Sequence, residues 1–439
     1  MSQWGVSPAT VQKAMAQLAA EGLIEARPGR GTFVAARANS EKPAADYAWQ
    51  SAVLGPAHAP ADALIGLMAV APPGSAALFS GYLPESLQPV AELTAAVQRA
   101  ARRPGVWSRE AAVGLEALRR WFAHDGGAVF QPHETIICTG TQSALSAIFR
   151  SLARPGECVA FESPTYPGAI AAATAAGLQI IPVPTDAQGV QPEALQAVLR
   201  RSAARLFYCQ PTHANPTGAV LPAARRAGVM DVIAGANAFL IEDDWARDFA
   251  FEPVPPPLAS LDRAGRVIYV RSLTKSSAPS LRVGALCARG AAFERLRAAR
   301  IIEDLYVSTL LQEAALHLVT SPAWNRHLRR LRARLVERRD ALLQAVARHF
   351  GAASVPLAPT GGLHLWVRLP QGVSDLALAR KAAAVGVAIL PGRMWFPAEP
   401  TGEHVRLTFA GEEPQTLAGA VAKLARCAQE LAAGRSEQE

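Results

Sequence analysis

Residues 271–282 read Arg-Ser-Leu-Thr-Lys-Ser-Ser-Ala-Pro-Ser-Leu-Arg. The run Arg266-Val-Ile-Tyr-Val270 ahead of them is a strand candidate, so Lys275 stands just past a strand end. A lysine beside small hydroxyl residues at such a place can be desolvated enough to form a Schiff base. Arg282, seven residues on, offers a planar fork for a phosphate. By themselves a surface lysine and arginine would look the same.

Outward from this stretch, strand-like and helix-like segments alternate from Ser80 to the end. Glu134–Cys138, Cys158–Phe161, Leu206–Cys209 and Phe239–Glu242 read as buried strands. Gln142–Leu152 and Ala169–Ala176 read as helices between them. This alternation predicts an α/β fold with a mostly parallel sheet covered on both faces. In such sheets ligands sit outside the carboxyl ends of the strands, and the polar motifs follow predicted strands.

Thr139-Gly140-Thr141-Gln142 joins a strand to a helix and would cradle an anion with backbone N–H groups. A capped turn reads the same way. Tyr166, in Ser163-Pro-Thr-Tyr-Pro-Gly168, could stack on an aromatic ring or be an ordinary half-buried aromatic. Asn215, in Asn-Pro-Thr-Gly, could donate to a phenolate oxygen, or the motif could be a plain turn. In Glu242-Asp243-Asp244-Trp245, one carboxylate could pair with a protonated pyridine nitrogen; a metal site or a surface turn stays open.

Taken in order, Gly140, Tyr166, Asn215, Asp243, Lys275 and Arg282 resemble the class I/II aminotransferases, pyridoxal-phosphate proteins of fold type I. The resemblance spans about residues 80–430. It implies pyridoxal 5'-phosphate as cofactor, with Lys275 catalytic and forming the internal aldimine. It implies that Asp243 holds the pyridine nitrogen, Asn215 the ring hydroxyl, and Tyr166 the ring face. Gly140, Thr141, Gln142, Ser272 and Arg282 would hold the phosphate. Arg406, in Val405-Arg-Leu-Thr-Phe409, resembles the family's grip on a substrate α-carboxylate. Gly361-Gly-Leu-His-Leu-Trp366 looks like the family's small-domain strand. Trp245 departs from the pattern: the family usually has a tyrosine there, and an indole is a donor only.

At the N terminus, Ser7 reads as a helix cap with Pro8 behind it, and Val11, Met15 and Leu18 form the helical stripe. Residues 23–34 read as strand, basic turn, strand. These segments resemble the second half of a GntR-type winged helix-turn-helix. Joined to an aminotransferase-like domain, they resemble the MocR/GabR regulators. The resemblance implies a DNA-binding transcription regulator that senses pyridoxal phosphate, an amine or an amino acid through the aldimine at Lys275. Ser7, Pro8, Ala9, Thr10 and Lys13 would face DNA from the recognition helix, and Arg27 and Arg30 from the wing. The alternative is an active aminotransferase with a vestigial DNA-binding segment. A homodimer is implied by the same family.

The expected domains are 1–36 (partial winged helix), 37–75 (linker rich in Ala and Pro), 76–310 (large cofactor domain) and 311–432 (small domain). The first is short of a complete winged helix, since roughly 35 residues cannot bury such a core alone. The expected reason is a start codon placed downstream of the native one. His317–Phe350 carries eight arginines and reads as the solvated face of a helix, with a second DNA contact as the sharper alternative.

Bulk properties agree with a globular chain: 439 residues, 50% hydrophobic, 18% charged, net charge +8. Five cysteines without a CxxC pair predict reduced thiols. The start lacks a basic region followed by an apolar run, and Ala63–Ala71 is too short for a bilayer, so a cytoplasmic protein is expected.

Overall fold

The computed structural model describes residues 6–35, 46–55, 61–127 and 129–436. The chain divides into two compact units, Met1–Ala57 and His58–Glu439. Part of the expected linker, residues 37–45 and 56–60, lies outside the described residues, as do residue 36 and Gln3-Trp4-Gly5.

In the first unit a helix spans Pro8–Ala20. The Ser7 hydroxyl accepts from the Thr10 N–H at 3.2 Å, and Pro8 takes the first turn, where its missing N–H costs nothing. Strands Ile24–Arg27 and Gly31–Val34 pair antiparallel, Ile24 opposite Val34 and Arg27 opposite Gly31. Ser7, Pro8, Ala9, Thr10, Lys13, Arg27 and Arg30 are all exposed. Arg27 lies 5.5 Å from the centre of the Phe33 ring and pairs with Glu25 at 3.2 Å. Arg30 sits at the turn between the two strands.

The second unit is built on an eight-stranded sheet. Its strands are β1 (Thr135–Cys138), β2 (Cys158–Ser163), β3 (Gln179–Asp186), β4 (Gly189–Val190), β5 (Leu206–Cys209), β6 (Phe239–Asp243), β7 (Val267–Ser272) and β8 (Gly284–Cys287). The spatial order is β1-β8-β7-β6-β5-β2-β3-β4. β3, β2, β5, β6 and β7 run parallel, while β8 is antiparallel to both β7 and β1. β1, β5 and β7 are buried along their whole length, which is why they read as unbroken apolar runs rather than alternating ones. Apolar cores fill both faces of the sheet.

A smaller antiparallel sheet follows: β9 (His364–Arg368), β10 (Leu390–Pro391) and β11 (His404–Thr408), in the order β9-β11-β10. Its core takes Leu331, Leu335 and Leu342 from the long helix Pro322–Phe350. These leucines make a buried stripe along the helix, and Arg326, Arg329 and Arg330 lie on its exposed side. The stretch 317–350 is two helices, however, because Ser321 caps a new one whose first residue is Pro322. Within the expected linker, helices Ala48–Leu54 and Asp62–Met68 form. Among the described residues no helix is long and apolar enough to cross a membrane.

Candidate functional site

The carboxyl ends of β1, β6 and β7 bring the distant motifs together. A cavity opens there, lined by Thr141, Tyr166, Asn215, Asp243, Lys275 and Arg406 among others.

Alternation along β6 sorts the three carboxylates, because neighbouring side chains leave opposite faces of a strand. Glu242 accepts from the N–H groups of Leu258 and Ala259 at 2.9 and 2.8 Å, so it braces a loop. Asp244 accepts from the Tyr269 hydroxyl at 2.7 Å and pairs with Arg247. Asp243, on the other face, lines the cavity. Its Oδ2 accepts from Tyr208 at 2.8 Å and Gln210 at 2.9 Å, and its buried Oδ1 has no partner. Burial pushes the Asp243 carboxyl up to about 6, against the pull of those two bonds. It is an ionised acceptor at neutral pH with one oxygen free for a ring N–H. The diverging directions leave no shared metal position for the three.

Lys275 follows β7. Its Nζ donates to the Gly81 carbonyl at 2.9 Å and lies 3.6 Å from the centre of the Tyr82 ring. Burial, helped by the Arg406 and Arg282 charges, lowers the Lys275 amine to about 7. A large part of it is therefore neutral, and nucleophilic, at physiological pH.

The anion cradle lies where β1 meets the helix Thr141–Leu152. Gly140 precedes that helix with φ +81°, and a Cβ there would come within 3.0 Å of an Arg282 nitrogen. The guanidinium is held by the Thr139 carbonyl at 2.7 Å. Helix N-terminal N–H groups and Arg282 thus face one small space that a side chain would fill. The Gln142 amide bonds the Gly168 carbonyl at 2.8 Å and accepts from the Tyr166 hydroxyl at 3.1 Å, orienting that ring. The Ser272 hydroxyl instead donates to Thr274 Oγ1 at 2.9 Å. Arg271, on β7 beside it, is drawn away by Asp125 and Asp248.

Arg406, on β11, is buried. Its Nη1 reaches Asn215 Oδ1 at 3.1 Å, its Nη2 donates to the Phe79 carbonyl, and its face covers the Trp395 ring at 4.5 Å. Trp395 Nε1 also donates to Asn215 Oδ1 at 3.1 Å. With its oxygen doubly engaged, Asn215 presents its NH₂ as donor. Trp245 lines the cavity and stacks on His364 at 5.8 Å, with its buried Nε1 unpartnered.

Pyridoxal phosphate fits these residues. The glycine-made cradle suits a phosphate, the orphan Asp243 oxygen suits the pyridine N–H, and the low-lying Lys275 amine suits the aldehyde. Five participants escaped the sequence reading as site residues: Tyr82, Tyr208, Gln210, His364 and Trp395. His364 lay inside a quoted motif, Tyr208 inside a quoted strand and Gln210 directly after it; Tyr82 and Trp395 reach the site through the fold.

A model of the aminotransferase class I and II family matches residues 110–424, and one of bacterial regulatory proteins of the gntR family matches residues 1–34. The uncharacterized HTH-type transcriptional regulator YdfD of Bacillus subtilis is 26% identical over 97% of this chain and 90% of its own length. The 2-aminoadipate transaminase of Thermus thermophilus is 32% identical over 81% of this chain and 90% of its own. Among solved structures, LysN, the alpha-aminoadipate aminotransferase of Thermus thermophilus, aligns with a TM-score of 0.76 and 29% identity, over 84% of this chain and 97% of that one. The chain thus belongs to the aminotransferase class I and II family and carries a gntR-family segment at its N terminus.

Proposed function

We propose that this protein is a transcription regulator of the MocR type. Its GntR-like segment binds DNA, and its aminotransferase-like unit holds pyridoxal phosphate and senses an amino acid or amine. The observation that carries this reading is the capped recognition helix and basic wing on the same chain as a cofactor-shaped site.

Pyridoxal phosphate, when bound, supplies an aldehyde that traps amines and a ring that draws electrons from the carbon beside the amine nitrogen. The chain supplies the rest. Thr141, Gln142 and Arg282 would hold the phosphate, with Gly140 giving it room. Tyr166 would lie on the ring, Asn215 and Trp245 would donate to its oxygen, and Asp243 would accept from its nitrogen. Ser272 would act through Thr274, whose N–H it holds at 3.1 Å. Lys275 would hold the cofactor at rest and yield to an incoming amine. Arg406 would bind a carboxylate, and its depth makes that charge pair strong. We place the protein in the cytoplasm and expect a homodimer, with 76–310 and 311–432 as the large and small domains and 37–75 as the linker.

A second reading, an active aminotransferase, is favoured by Arg406. A regulator needs only to bind; an enzyme must also move a proton at the ligand's α-carbon, and the neutral Lys275 amine is suited to that.

The test is a visible spectrum of purified protein and of Lys275→Ala, before and after adding amino acids and amines, joined to a binding assay on the gene's own upstream DNA. The expected result is a cofactor band lost in the variant, and DNA affinity that changes with ligand. Steady keto-acid production without any ligand effect on DNA would favour the enzyme. Absence of any band sinks both.

A further inference from the structure

One wall of the cavity is made by a segment the cofactor does not explain. Helix Asp62–Met68, a strap ahead of the sheet, contributes Leu64, Leu67 and Met68 to the lining. It is seated closely. Leu67 packs on the cluster of Trp366, Trp395 and Phe396, and a Cβ on Gly66 would come 2.9 Å from Leu390. Tyr82 joins strap to site, its ring over the Lys275 amine and its hydroxyl 3.8 Å from the Met68 sulfur.

The charges lining this cavity are Asp243, Lys275 and Arg406. The first two face the cofactor, and the third faces a carboxylate. The strap's lining residues carry no charge. His364, the remaining wall residue with a basic side chain, is kept neutral by burial and by the Arg406 and Lys275 charges, which hold its imidazole well below the usual range. A charged ligand side chain would therefore lose water on this wall without gaining a partner, which is costly, whereas an apolar one gains.

We propose that the ligand is an α-amino acid with an aliphatic or aromatic side chain, its α-carboxylate on Arg406 and its side chain beneath Leu64, Leu67, Met68 and Tyr82. This rests on the sensor reading above and names its ligand class. The strap thereby becomes the specificity element of the site.

The test uses full-length, cofactor-loaded protein, with loading established first from the visible band. Alanine, leucine, phenylalanine, aspartate, glutamate and lysine are titrated by the spectral change and by calorimetry. Each methylene shielded from water is worth about fourfold in affinity. Leucine and phenylalanine are therefore expected to bind at least tenfold tighter than alanine, and the charged amino acids no tighter than alanine. Met68 is 63% exposed, so Met68→Lys leaves the core intact. It should cut the leucine-to-alanine affinity ratio at least tenfold and raise glutamate relative to leucine. Leu64→Ala, which adds no charge, should lower the same ratio severalfold. Equal binding of glutamate or lysine and leucine to the unaltered protein overturns the proposal, as does a leucine-to-alanine ratio untouched by both variants. So does a panel in which no amino acid binds. An absent cofactor band overturns the sensor reading itself, and the proposal with it.

Discussion

Lys275 is held between a carbonyl that wants its proton and an environment that wants it gone. The Gly81 oxygen accepts from the amine, yet burial and two guanidinium neighbours lower it to about 7. An exposed lysine titrates near 10.4. Uptake of pyridoxal phosphate by cofactor-free protein should therefore accelerate about tenfold per pH unit below pH 7 and level off above it. Stopped-flow absorbance checks this; a rate still climbing at pH 9 would show an amine with an ordinary value. Gly140 makes a second residue-scale test. An L side chain at its φ of +81° and ψ of 174° costs about 1–3 kcal/mol, and the methyl of Gly140→Ala would also press on Arg282. Affinity for the cofactor should fall at least tenfold in an absorbance titration while the melting temperature of the cofactor-free protein drops by only a few degrees. Unchanged affinity would mean that the phosphate binds elsewhere.

β2 ends in a buried carboxylate that the cofactor site does not use directly. Glu162 accepts from the Gln210 N–H at 2.8 Å and from the Thr165 hydroxyl at 3.3 Å, and so fixes the loop from which Gln210 reaches Asp243. Burial raises its carboxyl to about 8. In the unfolded chain it titrates near 4.3. The folded state thus keeps a proton that the unfolded state releases, so stability falls as pH rises from about 4.3 to about 8. Glu162→Gln keeps an acceptor oxygen and removes the titration. Its melting temperature relative to the parent should rise between pH 5 and pH 9 by at least ~1 °C, the equivalent of about 1 kcal/mol in a unit of this size. A pH-independent difference would refute the burial argument. Strands of this kind were legible in the sequence: Leu206–Cys209 stands at the residues its apolar run indicates, and the expected boundaries of β1, β2, β6 and β7 shift by no more than two residues. The break at Ser321-Pro322 carried a local signal, a cap followed by proline, that the arginine-rich stripe obscured. Tyr82 had no such signal. It meets Lys275 across 193 positions of chain, a contact created by the sheet order and not by any nearby pattern.

At the scale of the whole chain, two kinds of charge must be told apart. The net charge of +8 is spread over 439 residues, and many arginines are committed inside the fold, as Arg226, Arg271, Arg338 and Arg406 are. The helix Pro322–Phe350 packs by its leucines and exposes Arg326, Arg329 and Arg330 on the opposite side, as an amphipathic helix does. The recognition helix and wing are different, because Lys13 and Arg30 are exposed beside a capped helix start and a turn, where a phosphate backbone can be met. Arg27 is partly spent on Glu25 and Phe33. Removing one phosphate-binding side chain should reduce the slope of log affinity against log salt by about 0.9. Lys13→Ala combined with Arg30→Ala should therefore flatten the slope by about 1.8 per bound protomer, twice that amount, measured by fluorescence anisotropy on the upstream duplex. The same pair should leave the cofactor band and the ligand affinities unchanged, since the described residues that line the cavity all belong to the second unit. Arg326→Ala with Arg329→Ala and Arg330→Ala should leave the salt slope as it was. A slope that instead responds to the helix arginines, and not to Lys13 and Arg30, would move the DNA-binding surface onto the aminotransferase-like unit.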